Sequence, residues 1–145
     1  MDHIFSAIQY LNGSPAVVWQ VITNPVHMLQ WTGDETMNLT IDTNWIPGTE
    51  IIITGNHHQP FENKGIVLQC IPEQQLSYTH LSSLSRLPDE PDNYTRIDFH
   101  LVPNGAQTKL ELTISNFPTE SIQKHLEFYW RTTMVKIKKY AARSL

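Results

Sequence analysis

The sequence holds a single cysteine, Cys70, so neither an internal disulfide nor a Cys-x-x-Cys zinc site is open to it. Charged residues are scarce at 17% of the 145 positions, against 40% hydrophobic, a balance that excludes a disordered chain and a coiled coil. No run approaches the roughly 18–20 apolar residues of a membrane span. Residues 1–30 lack a basic start followed by a long apolar stretch, so no secretory signal is expected. Internal repeats and low-complexity tracts are missing as well. These absences point to one soluble, cytoplasmic domain spanning residues 1–145. Such a domain buries roughly two-thirds of the surface its unfolded chain exposes, and needs no metal or disulfide to fold.

Basic residues are few until the C-terminal stretch. Residues 1–120 contain only Lys64, Arg86, Arg96 and Lys109 against 13 acidic residues, whereas residues 121–145 contain six basic residues and Glu127 alone. The acidic bulk repels phosphate backbones, so a nucleic-acid partner is not expected. Lys136, Lys138, Lys139 and Arg143 instead suit the C-terminal end of a helix, where they complement its dipole.

Local pattern gives the order of elements. Residues 3–11 are rich in β-branched and aromatic types and predict a strand. Asn12-Gly13-Ser14-Pro15 ends it, with Ser14 as N-cap and Pro15 as first helical residue of a short helix over Ala16 to Thr23. Asn24-Pro25 breaks that helix and starts another, to about Trp31. From Met37 to Asp42 apolar and polar residues alternate, which predicts a strand. Pro47-Gly48 is a turn, and strands follow over Glu50 to Gly55, Phe61 to Ile71 and Gln75 to about Ser82. Ser83 to Asp92 is an exposed loop. Tyr94 to Val102 and Gln107 to Ser115 form a hairpin, with Ile97, Phe99 and Leu101 facing Leu110, Leu112 and Ile114. Arg96, Asp98 and His100 then point to the opposite, solvated face. Finally Ile122, Leu126, Tyr129, Trp130, Thr133, Met134, Ile137, Tyr140 and Ala141 recur at three- and four-residue steps, one apolar stripe along a helix of over twenty residues capped by Thr119. A helix that long needs a broad partner, which six or seven antiparallel strands supply. The fold class is α+β.

In its element order the chain resembles the helix-grip fold of the START and birch-pollen-allergen (SRPBCC) superfamily. Its local wording resembles the branch of homologues of the activator of heat-shock-protein-90 ATPase. The likeness rests on Pro15-Ala16-Val17-Val18-Trp19 with Thr23-Asn24-Pro25, on Trp31, on Pro47-Gly48, on Gly65-Ile66-Val67 running to Ile71-Pro72, on Leu76 and Tyr78, and on Thr108 to Thr113. Ile46 and Thr49 depart from it, standing where relatives often have a basic residue and a second glycine. The resemblance implies a curved sheet of six to seven strands wrapped around a long C-terminal helix, with two short helices after the first strand. It also implies a cavity between them that often holds an apolar ligand.

The chemistry-bearing residues form no pattern that demands catalysis. The adjacent His57 and His58 would face opposite sides of a strand, and no His-x-His or His-Glu-x-x-His spacing occurs, so no metal or cofactor is expected. His80 and His100 sit in strands and approach each other if those strands pair; otherwise the histidines are read as solvated turn and edge residues. Serines cluster near His80 without a Gly-x-Ser-x-Gly elbow, and Cys70 lies in an apolar setting that keeps a thiol inert. The aromatic residues are the better lead. Trp31, Phe61, Tyr78, Phe99, Tyr129 and Trp130, with Leu112 and Met134, are the candidate lining of a ligand cavity, although they equally suit a filled core. Three functions follow in order: a small-molecule-binding domain for an apolar or aromatic ligand, a chaperone-associated protein-interaction module, and a cyclase- or hydrolase-like enzyme.

Overall fold

The structure is a computed structural model and describes residues 3–144. Strand β1 (Phe5–Asn12) is followed by helices α1 (Pro15–Thr23) and α2 (Pro25–Thr32). Strands β2 (Thr40–Asp42), β3 (Glu50–Asn56), β4 (Pro60–Ile71), β5 (Gln75–Ser82), β6 (Thr95–Asn104) and β7 (Gln107–Ser115) come next, and helix α3 (Glu120–Ser144) closes the chain. The seven strands form one antiparallel sheet in the order β1-β7-β6-β5-β4-β3-β2. This is the α+β class read from the element order and the helix-grip arrangement that the resemblance implies.

Capping explains the helices. The Val17 amide donates to Ser14 Oγ at 3.3 Å and the Val26 amide to Asn24 Oδ1 at 3.0 Å, each cap followed by a proline whose missing N–H costs nothing in a first turn. Ile122 donates to Thr119 Oγ1 at 3.1 Å, so α3 starts where the sequence places it. The α3 stripe faces the sheet: Leu126, Trp130, Thr133, Met134, Ile137 and Ala141 are buried, and Ile122, Tyr129 and Tyr140 half-buried. Arg131 on its flank lies over the Phe5 ring, 5.0 Å from the centroid.

The strand register puts the expected apolar residues together. Ile97 is opposite Ile114, Phe99 opposite Leu112 and Leu101 opposite Leu110, all buried. Curvature comes from β4, where a bulge lies between Val67 and Gln69. At Gly65 a Cβ would stand 1.6 Å from the Thr79 carbonyl oxygen, so only glycine allows β4 and β5 to approach there. Gly48, at φ +90°, is the left-handed corner of the Ile46–Thr49 turn, in which the Thr49 amide donates to the Ile46 carbonyl at 3.0 Å.

Two expectations are corrected. The alternating Met37–Asp42 segment is not one strand: Glu35–Met37 is a 3-10 turn, Asn38 is left-handed at φ 49°, and only Thr40–Asp42 pairs. Asp34 accepts from the Thr36 amide at 2.9 Å and fixes the turn, while Met37 and Leu39 both pack against the backs of Gly33 and Gly55. Nor are Arg96, Asp98 and His100 a uniformly solvated trio. Asp98 is only 8% exposed: Ser77 Oγ donates to it, and Arg96 Nε and Nη2 donate at 2.9 and 3.1 Å. Those bonds compensate a carboxylate held on the convex face.

Candidate functional site

The space between α3 and the concave face of the sheet has two different halves. Over one half, toward β1, α1 and α2, the helix makes its closest backbone approaches, and the other half lies on β3, β4 and β5. In the close half the core is filled by aromatic rings. Trp130 meets Phe99 edge-on at 5.7 Å and Tyr129 at 5.3 Å, and Trp31 lies tilted at 6.4 Å. Trp31 is fixed by its indole N–H, which donates to the Val21 carbonyl at 2.8 Å. Leu112 and Met134 are fully buried beside these rings in the same core.

Of the remaining candidates Tyr78 belongs to the same core and Phe61 does not. Tyr78 is buried on β5 and tilts against Trp45 at 5.6 Å, whose indole N–H donates to the Thr23 carbonyl at 2.6 Å. Phe61 sits at the far end of β4, opposite Gly55, and lines an open groove of about 490 Å³ with Asn38, Thr54 and Glu62. A larger groove of about 700 Å³ runs past Pro72, Gln75, His100 and Val102, away from the aromatic rings. Of the eight candidates the structure therefore groups Trp31, Tyr78, Phe99, Leu112, Trp130 and Met134 in one core with Tyr129 packed against it, and leaves Phe61 apart.

The half on β3, β4 and β5 carries polar groups. Strand alternation directs Tyr78 and His80 of β5 inward with Leu76, and Asn63 of β4 inward with Gly65 and Val67. His80 and His100 consequently do not meet, although β5 and β6 pair: His80 is opposite Thr95 on the concave face and His100 opposite Gln75 on the convex one. His80 is not a solvated edge residue either. It is half-buried, yet desolvation, with a smaller contribution from the charge of His125, lowers its pKa from 6.5 to about 4. Burial likewise raises the Tyr129 hydroxyl to about 12, opposed by a hydrogen bond from Thr133, and raises the Tyr78 hydroxyl well above its usual value, with Tyr129 adding to the effect. Tyr129 is itself half-buried and donates to the Thr32 carbonyl at 2.6 Å.

Two buried oxygens near this half, Asn63 Oδ1 and Thr32 Oγ1, have no hydrogen-bond partner. Buried polar atoms are ordinarily paired, so these two are exceptions, and neither has accessible surface against which a further group could sit. The aromatic pattern did not reveal Asn63, Trp45 or the inward turn of His80. For Asn63 and His80 the signal was parity, counted back from Val67 and on from Leu76. Among the described residues no three His, Cys, Asp or Glu side chains converge as a metal site. Cys70 is half-buried against the core, and desolvation raises its thiol pKa.

The comparisons follow this geometry. The family model for "Activator of Hsp90 ATPase homolog 1-like protein" matches residues 12–142. A solution structure from Cytophaga hutchinsonii is similar at 29% identity and TM-score 0.78, covering 95% of this chain and 92% of that one. A crystal structure of a Chromobacterium violaceum protein superposes with TM-score 0.81 at 15% identity, covering 95% and 96%. The Aha1 dimer of Colwellia psychrerythraea superposes with TM-score 0.74 at 18% identity, covering 94% of each chain. No curated protein matches the sequence. No helix among the described residues is long and apolar enough to cross a membrane.

Proposed function

The chain belongs to the family of activator of Hsp90 ATPase homolog 1-like proteins, and from that premise we propose that it binds a small apolar or aromatic molecule between α3 and the β3–β5 half of the sheet. The observation that carries this reading is geometric: Tyr78 and His80 share the concave face of β5, Trp45 packs on Tyr78 at 5.6 Å, and the hydroxyl of Tyr129 is held by Thr32. His80 and Tyr129 each retain accessible surface, yet each is desolvated strongly enough to move its pKa by about two units or more. In this reading Tyr78, Trp45, His80 and Tyr129 would line a recess beneath α3. Tyr78 and Trp45 supply apolar ring surface there, and the hydroxyl and imidazole groups nearby supply the few polar tips that orient a ligand.

Native mass spectrometry of freshly purified protein tests the reading, with a co-purified small molecule as the expected result. A bare protein mass, together with chemical shifts of Tyr78, His80 and Tyr129 that ignore a panel of apolar aromatic compounds, would refute it.

A chaperone-associated interaction is the second reading. Phe128 is 73% exposed on the outward side of α3, and Val135, seven residues on, shares that side. Phe128→Ser would abolish such an interaction and leave ligand binding intact.

A further inference from the structure

On the outward face of α3, cations collect around exposed apolar side chains. From Phe128 to Arg143 the chain contains no Asp or Glu. At about 100° per residue, Phe128 and Val135 fall on the midline of that face, with Arg131 and Lys138 to one side and Lys139 and Arg143 to the other. Phe128 is 73% exposed, and Val135 and all four cations are exposed as well. Arg131 pairs with Glu127 at 3.8 Å, but Lys138, Lys139 and Arg143 enter no ion pair among the described residues. A helix C-terminus carries only about half a negative charge, so its dipole leaves most of this positive charge uncompensated.

The surroundings keep that charge local. Helix α2, joined to this end of α3 by the His27–Tyr140 hydrogen bond at 2.5 Å, has no acidic residue. Asp34 acts on Lys136, at the margin of the face rather than on its midline. Of the 14 acidic residues 13 precede residue 121. Those on the convex side, such as Glu111, have the sheet between them and α3, farther than the ~10 Å over which charges interact through 0.1 M salt. The face is the rounded back of one helix, without a cleft to seat a peptide, and a phosphate backbone offers Phe128 and Val135 nothing apolar. A lipid surface meets both demands, because its headgroups take the cations and its upper acyl chains take the apolar tips. We propose that the outward face of α3 docks on an anionic phospholipid bilayer, with Lys138, Lys139 and Arg143 at the headgroups and Phe128 and Val135 below them. This docking is independent of the ligand reading above. It gives Phe128 a different partner from the chaperone reading, and the experiment separates the two.

Flotation of the full chain with vesicles at about 0.1 M NaCl compares phosphatidylcholine alone with a mixture containing about 30% phosphatidylserine. The protein should float with the mixed vesicles only, and come off them at about 0.5 M NaCl as the charges are screened. Changing Lys138, Lys139 and Arg143 together to Ser should weaken partitioning on the order of 100-fold, at roughly five-fold per cation. Phe128→Ser should weaken it by roughly ten-fold and leave the salt sensitivity in place. All four side chains are exposed, so these variants keep the fold, and Arg86→Gln, an exposed cation between β5 and β6, should bind like the parent. Partition onto neither vesicle, equal partition onto both, or a triple variant that floats like the parent overturns the proposal. Binding to polyglutamate or to duplex DNA that exceeds binding to the mixed vesicles at the same salt also overturns it, and assigns the face to a soluble polyanion.

Discussion

His80→Gln isolates the consequence of placing an imidazole on the concave face. Desolvation lowers the His80 pKa from 6.5 in the unfolded chain to about 4 when folded, so the native protein binds fewer protons than the unfolded chain between those values. Stability therefore rises with pH across this window. It is complete above about pH 6.5 and lost progressively as pH falls toward 4. One proton of difference corresponds to a slope of about 1.4 kcal/mol per pH unit, and integrating from pH 7 to pH 5 gives a loss of about 2 kcal/mol from this residue alone. Glutamine keeps a similar length and hydrogen-bonding capacity without titrating. Urea denaturation of both proteins at pH 7 and pH 5 measures the two losses, and the carboxylates and other histidines cancel in the difference. The variant should lose about 2 kcal/mol less than its parent. Equal losses, or an His80 resonance that titrates near 6.5, would refute the desolvated placement and with it the recess.

Three further changes test the frame around the site. Gly65→Ala drives a Cβ into the Thr79 backbone, so it should cost more than 3 kcal/mol or prevent soluble expression; a melting temperature near that of the parent would show that β4 and β5 are not so close. Met134→Trp enlarges a side chain that is only 1% exposed, and should lower stability by roughly 1–3 kcal/mol; a neutral or stabilised variant in a denaturation series would mean that the close half of the interior is not filled. Truncation after Glu120 removes the helix that covers the sheet and should leave a chain without fixed tertiary packing; near-ultraviolet circular dichroism that remains native-like would contradict the layer arrangement.

Features set by local periodicity were legible before any coordinates. The β6–β7 hairpin follows from Ile97, Phe99 and Leu101 alternating with polar residues, and α3 from a stripe that holds its phase from Ile122 to Ala141. Met37–Asp42 shows where periodicity misleads. Its alternation is genuine, but the Asp34 cap and the bare backs of Gly33 and Gly55 give Met37 and Leu39 a better surface than a sheet ladder would. Asp98 was opaque for another reason: its burial depends on Ser77, 21 residues earlier and brought beside it only when β5 pairs with β6. The surroundings of the inward polar residues were the least legible part. Parity alone turns His80 and Asn63 inward, but whether an inward residue meets packed side chains or open space depends on where α3 lies above it, and no local pattern encodes that tilt.

The same placement bears on whether the recess performs chemistry. A general base works best with a pKa near the operating pH, and a catalytic histidine is usually oriented by a carboxylate. His80 titrates some three units below neutrality, its closest charged influence is another histidine, and the carboxylate nearest in sequence register, Asp98, faces the opposite side of the sheet, held by Ser77 and Arg96. An imidazole in that state accepts a hydrogen bond well but accepts a proton poorly. The two tyrosines, with hydroxyls pushed upward, keep their protons and serve as donors. With the His80 imidazole they are neutral hydrogen-bonding groups on an apolar face, which fits holding a molecule in one orientation better than transforming it.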